Sequence, residues 1–121
     1  MIHFKESEFY CPCEECDLDF YDMDEDFIYA LDRARGYAEV PFILTSTIRC
    51  AAYNLKEEVG GSETSSHPKG LAGDIACITS YNRYRILYGL KKAGFTRIGI
   101  AKTFIHADQD TDKPKEMIWI Y

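Results

Sequence analysis

Three histidines, one tryptophan, four prolines and fourteen basic residues against twenty acidic ones are the scarce features of this 121-residue sequence. The shortage of positive charge leaves a formal net charge of -6, which excludes nucleic acid as the main partner because phosphate binding needs a basic face. It also supplies no long-range pull toward anionic membranes or anionic polymers. No apolar run approaches the roughly 20 residues that span a bilayer, so no membrane insertion is expected. The opening Met1-Ile-His-Phe-Lys-Glu-Ser-Glu-Phe-Tyr10 has no apolar signal core and no small-residue cleavage site, so synthesis in the cytoplasm without a signal peptide is expected. Five cysteines, an odd count in such a chain, favour reduced thiols or a metal site over a disulfide framework. No repeat, low-complexity tract or linker divides the chain. A single domain over residues 1–121 is expected, with residues 1–22 as a cysteine-containing segment inside it.

What is present is enough to build a core. Hydrophobic residues make up 46% of the chain, and nine Tyr and seven Phe exclude a disordered class. Phe27, Ile28, Leu31, Ala34 and Ala38 recur at three- and four-residue spacing and predict a helix over 25–38, capped by Asp22 or Asp24 and ended by Pro41. Phe42–Thr45 reads as a short buried strand. Ala51 to Val59 reads as a brief helix stopped by Gly60-Gly61, and residues 60–70 as loop. Leu71–Ile78 reads as a strand. A second helix over 81–93, capped by Ser80, would turn Tyr84, Leu87, Tyr88 and Leu90 to the core, with Gly94 at its C-terminal position. Arg97–Ala101, Phe104–Asp108 and Met117–Tyr121 read as strands. Helices early and strands late predict an α+β fold, with helices packed on a small antiparallel sheet. Glu14, Glu15, Asp17, Asp19, Asp22, Asp24, Glu25 and Asp26 read as a solvated acidic surface.

The chemistry concentrates in a few side chains. Catalytic zinc sites take three ligands from His, Asp, Glu or Cys and leave a fourth position open. Ser66-His67-Pro-Lys-Gly-Leu-Ala-Gly-Asp74 places a carboxylate seven residues after a histidine, a span that a loop running into a strand can fold back over. His106-Ala-Asp108 sits in a strand, where alternate residues share a face, so Asp108 accompanies His106 as a general base or as a group orienting a ligand. Cys11, Cys13 and Cys16, with Cys50 or Cys77 as a fourth ligand, are candidates for a second, structural metal; free thiols or a disulfide are the alternatives. Neither Cys50 nor Cys77 has a base beside it, so both read as core cysteines rather than nucleophiles. Trp119 reads as a core residue, with its ring on one face of the last strand, rather than as a substrate platform.

The segment Ser65-Ser-His67-Pro-Lys-Gly70-Leu-Ala-Gly-Asp74-Ile resembles the Ser-x-His-x-x-Gly-x-Ala-x-Asp-Ile motif of the zinc D-Ala-D-Ala carboxypeptidase family of peptidoglycan metallopeptidases. That family includes VanX-type dipeptidases and phage L-alanyl-D-glutamate endolysins, and hedgehog domains share its fold. Phe104-Ile-His106-Ala-Asp108 is similar to the family's later Phe-x-His-x-Asp strand. Thr45-Ser-Thr-Ile-Arg49 is similar to its Ser-Gly-Tyr-Arg element, with Asn54 and Gly60-Gly61 following in order. The opening with Phe4, Phe9, Cys11 and Cys13 resembles small bacterial and phage members.

The resemblance implies one zinc held by His67, Asp74 and His106, and a hedgehog-like arrangement of helices and sheet. It implies that Arg49, with Ser65, binds a substrate carboxylate or polarised carbonyl, a task suited to the planar guanidinium fork. It implies hydrolysis of peptide bonds in peptidoglycan stem peptides, as a D,D-carboxypeptidase or an endopeptidase. Action on the wall would follow phage-type release. The rival class is a zinc-containing module that binds wall peptides or a protein without cutting them. Two departures bear on the choice. Thr103 stands where several members carry an acidic general base, which leaves Asp108 to take that part. Thr47-Ile48 replaces Gly-Tyr before Arg49.

Overall fold

The side chain of Asp24 accepts a hydrogen bond from the Phe27 amide and so caps α1 (Glu25–Ala38), the helix that the apolar spacing predicts. The computed structural model describes residues 1–121. Phe27, Ile28, Leu31, Ala34 and Ala38 are all buried along α1. The helix stops before Pro41 has any part in it: Glu39 takes a left-handed φ of 58° and its amide bonds back to the Arg35 carbonyl.

β1 (Leu44–Ser46) lies two residues later than the sequence reading and is not buried throughout, because it is an edge strand; Phe42 is buried but Ile43 is exposed. α2 is a single turn, Ala51–Asn54, and does not reach Val59, because the Asn54 carbonyl accepts from the Gly61 amide and turns the chain. β2 (Ala72–Ala76) follows the loop. α3 (Ser80–Lys92) is capped by Thr79 rather than Ser80, through its hydroxyl and the Asn82 amide. Gly94 follows that helix with a φ of 97°, as its position suggests. Then come β3 (Arg97–Ile100), β4 (Phe104–Asp108) and β5 (Met117–Ile120). The eight clustered acidic residues of 14–26 are all exposed. No helix is long and apolar enough to cross a membrane.

The five strands form one sheet in the order β1-β2-β4-β3-β5. The predicted sheet was antiparallel, and the observed one is mixed, since β5 runs parallel to β3. The cause lies in residues 109–116. β4 ends at Asp108 beside Arg97, the first residue of β3. The connection crosses that end of β3, where Arg97 Nη1 donates to the Pro114 carbonyl at 2.6 Å, and β5 therefore starts beside Arg97 and runs the same way.

Alternation along the strands gives the sheet two different faces. Ile75, Ile98, Ile105 and Ala107 join Phe27, Leu31 and Leu90 in the core beneath α1 and α3. Asp74, His106, Asp108 and Arg97 lie on the other parity. The result is an α+β fold with helices on one sheet face and polar chemistry on the opposite face.

α1 and α3 cross at small residues. The α3 face is only in part the predicted one: Leu90 is buried and Leu87 packs against the core as expected, but Ile86 and Gly89 complete the buried face, whereas Tyr84 and Tyr88 are exposed. Gly89 sets this rotation. A Cβ there would run into the Ala34 carbonyl oxygen and stand 2.8 Å from the Ala38 Cβ. Gly89→Ala would gain about 1 kcal/mol of helix propensity. Overpacking against rigid backbone costs about 1–3 kcal/mol or more. A net loss of stability is expected in urea unfolding, and an unchanged or raised midpoint would refute the close crossing.

Candidate metal centre

Asp74 in β2 and His106 in β4 are direct register partners, so the antiparallel pairing puts both side chains on one face. His67 arrives from the loop. Ser66 to Lys69 form a tight turn, the Leu71 amide bonds back to the Ser66 carbonyl, and the chain enters β2 beneath the imidazole. His67 Nε2 lies 3.4 Å from Asp74 Oδ1, and His106 Nδ1 lies 2.9 Å from the same oxygen. The ligand atoms of all three residues lie within 4.8 Å of one another, and all three residues are buried. The sequence-predicted triad is thus brought together, by the fold-back that its seven-residue spacing allows.

Each imidazole has its other nitrogen tied outward. His67 Nδ1 lies 2.7 Å from the Thr47 carbonyl oxygen. That oxygen can only accept, so Nδ1 carries the proton and Nε2 turns its lone pair inward. His106 Nε2 donates to Asp108 Oδ2 at 2.8 Å, which leaves Nδ1 facing Asp74. Two imidazoles held in ligating orientation by outer partners, with a carboxylate between them, are a donor set for a divalent metal. The spacing agrees, because N and O ligands about 2.0–2.1 Å from zinc stand about 3.3 Å apart around a tetrahedron.

The metal-free charges follow from the same contacts. Burial pulls the His106 imidazole down, but hydrogen bonds to Asp108 and Asp74 and their negative charge outweigh it and hold the pKa above its ordinary value. Burial pushes Asp74 up, but bonds and charge from His106 and His67 bring it well below the ordinary carboxylate range. Asp108 is likewise lowered: against its burial stand His106, the Asp110 amide and Arg97.

These shifts fix a sign. A raised imidazole contributes stability that is full below about pH 6.5 and is lost as pH rises through the folded value. A lowered carboxylate contributes stability above about pH 4 that is lost as pH falls through its folded value. Chelated protein is therefore expected to be most stable between about pH 4 and pH 6.5, with a melting temperature that drops as pH rises above about 6.5. A bound divalent metal should remove that alkaline drop. A chelated melting temperature that is flat or rising over this range would contradict the assigned contacts.

Arg49 reaches the same place from the segment after β1. Its Nε donates to Ser46 Oγ at 2.9 Å, Nη1 to Asn54 Oδ1 at 3.1 Å, and Nη2 to Asp74 Oδ2 at 3.4 Å. The guanidinium has five N–H donors, so two are free for a ligand. Asn54 is buried and also donates to the Ser62 carbonyl at 2.8 Å, tying Arg49 to the Gly60–Ser62 loop. Ser65 lines the cavity of about 290 Å³ together with Arg49, Phe104, Trp119 and Tyr121. Its hydroxyl accepts from the His67 amide at 3.3 Å.

Asp108 does share a face with His106, as strand parity requires, but it meets the imidazole at the edge away from Asp74. Both of its oxygens are engaged. Oδ2 accepts from His106, and Oδ1 accepts from Arg97 Nε at 2.7 Å and from the Asp110 amide at 3.1 Å. Asp108 is 1% exposed.

Sequence reasoning missed three groups. Arg97 joins Asp108 through the β3–β4 register, a pairing without a local sequence signal. Asp110 accepts from Ser66 Oγ at 2.8 Å and from Lys69 Nζ at 2.9 Å, and so pins the His67 loop to the end of β4. The continued alternation His106-x-Asp108-x-Asp110 was a signal available for it. Trp119 was read as core packing, yet its ring covers His106 at a centroid distance of 5.6 Å and Arg97 lies over it at 5.0 Å. Gly99 lies between His106 and Trp119 in the register, and any Cβ there would strike the indole.

Residues 2–108 match a family model described as peptidase M15. No curated protein matches the chain. The matched span includes the triad, Arg49 and Asp108, while β5 with Trp119 lies beyond it.

Proposed function

We propose a zinc-dependent hydrolase of peptidoglycan peptides from one premise: this chain belongs to the peptidase M15 family, a family of metallopeptidases. Three helices on a five-stranded mixed sheet fit the hedgehog-like fold of such peptidases. The observation that carries the reading is the convergence of His67 Nε2, Asp74 and His106 Nδ1, with both imidazoles already turned to ligate.

His67, Asp74 and His106 would hold the ion. Zinc in such a set acidifies a water toward roughly pH 7 and polarises a carbonyl. The chain's own groups do the rest. Arg49 offers its two free N–H donors to a substrate carboxylate or to the carbonyl oxygen that gains charge during attack. Its three anchors hold the fork still, which limits the entropy lost when substrate binds. Ser65 and Trp119 line the space a stem peptide would fill, and the buried triad keeps bulk water from competing. The finer activity is a D,D-carboxypeptidase or an endopeptidase of endolysin type.

One observation favours the second reading, a zinc-containing module that binds wall peptides without cutting them. Thr103 replaces the acidic base of several relatives, and Asp74 and Asp108 are the only carboxylates lining the cavity. Purified protein with isolated muropeptides decides the matter. Hydrolysis that stops on chelation and returns with zinc is expected, and mass spectrometry of the products identifies the bond. Tight binding of muropeptides with no cleavage at any zinc level would establish the module instead.

A further inference from the structure

A second point of convergence lies outside the cavity. Cys11, Cys13, Cys16 and Cys50 place their four sulfurs within 4.8 Å of one another. Cys13 Sγ is 3.0 Å from Cys16 Sγ and 3.6 Å from Cys50 Sγ. No disulfide joins them. Cys77, the other candidate for a fourth ligand, stands apart, with its Sγ 3.8 Å from the Thr79 carbonyl oxygen. Sulfurs about 2.3 Å from zinc occupy tetrahedron corners about 3.8 Å apart, a spacing inside the 4.8 Å within which these four all lie.

The backbone gives an independent observation. The Cys50 amide donates to Cys11 Sγ at 3.3 Å, and the Tyr53 amide to Cys50 Sγ at 3.4 Å. Two of the four sulfurs therefore receive an N–H. Neutral thiols gain little from such donors. Four thiolates around a divalent cation carry a net charge of -2, which inward-pointing amide dipoles offset.

We propose that Cys11, Cys13, Cys16 and Cys50 hold a second, structural zinc ion as four thiolates. Four S–H bonds break, four S–Zn bonds form, the four protons leave to solvent, and nothing is oxidised or reduced. The site has a place in the fold. Apart from the cluster, residues 10–19 are closed by the Cys11 amide on the Leu18 carbonyl and by the Tyr10–Asp19 bridge. Cys50 lies next to Arg49 and begins the turn that carries Asn54. A metal at this cluster would clamp the N-terminal segment to the base of the arginine that faces the first centre.

Full-length protein purified without chelator from zinc-containing medium tests the idea. About two zinc ions per chain are expected in the wild type, about one in Cys16→Ser, about one in His67→Ala, and none in the double variant. Cys77→Ser should keep both. A measurement on the wild-type chain guards against a variant that fails to fold: cobalt added to chelated protein should give thiolate-to-cobalt charge-transfer absorption, which a two-histidine, one-carboxylate site cannot produce. The absorption should survive in His67→Ala. Folded His67→Ala with no zinc, a cobalt form without thiolate absorption, or an intact mass short by the hydrogens of one or two disulfides would overturn the proposal. Failure of the peptidase reading would instead show with muropeptides, as wild type that never cleaves them or as His67→Ala that still does, with the thiolate absorption of the cobalt form unchanged.

Discussion

Folded His67→Ala protein is expected to lose the triad's metal and all turnover above that of the chelated wild type. The substitution removes the Nε2 donor and leaves Asp74 and His106 as a two-residue remnant. Losing a single oxyanion donor typically costs about 10²–10³-fold in rate. Losing the ion that both polarises the carbonyl and acidifies water should exceed that. The fold should survive. His67 sits on a short turn whose backbone is fixed by the Lys69 and Leu71 amides on the Ser66 carbonyl, and by Ser66 on Asp110. The lost bond to the Thr47 carbonyl leaves a buried acceptor unpaired, worth about 1–3 kcal/mol. Circular dichroism, metal content and muropeptide turnover measured together check the result. A folded variant that turns over substrate in the presence of chelator would remove the metal from the reaction.

The residues that made this site legible in the sequence are those whose partners are close in the chain. His67 and Asp74 lie one loop apart, and His106 and Asp108 alternate along one strand, so spacing carried each pair, while the meeting of the two pairs across 32 residues came only from the family resemblance. α1 was readable for the same reason: its cap and its apolar stripe are local properties of residues 24–38. Features that depend on distant pairing were not readable. The parallel course of β5 is decided by where residues 109–116 cross β3. Arg97 meets Asp108 only because β3 and β4 pair in that register. The choice of Cys50 over Cys77 depends on how the segment after β1 returns to the N-terminal turn. On α3, the tyrosines suggested the wrong face because periodicity counts apolar residues, whereas the crossing with α1 is selected by the absence of a side chain at Gly89.

Asp108→Asn separates the two jobs open to this carboxylate. As a general base its loss would cut kcat by about 10²–10⁴-fold, leave the metal in place, and resist added zinc. As the group that positions His106, its loss should weaken metal affinity about 10–100-fold, with turnover largely restored at high zinc. The geometry supports the second outcome. A carboxylate already accepting from His106, Arg97 and the Asp110 amide, and held below its ordinary pKa by them, is a weak proton acceptor near neutral pH. The amide cannot imitate it. Whichever way the Asn side chain turns, its NH₂ group confronts either His106 Nε2–H or Arg97 Nε–H, and the Arg97 charge, 9% exposed, loses its counter-ion. Removing one partner of a buried ion pair costs about 3–5 kcal/mol. A large fall in unfolding free energy should therefore accompany the fall in metal affinity. Arg97→Gln, which touches no ligand, should lower metal affinity in the same direction, and in the double variant the two losses should not add. Retained metal, unchanged stability and a kcat that stays low at saturating zinc would return Asp108 to the role of base.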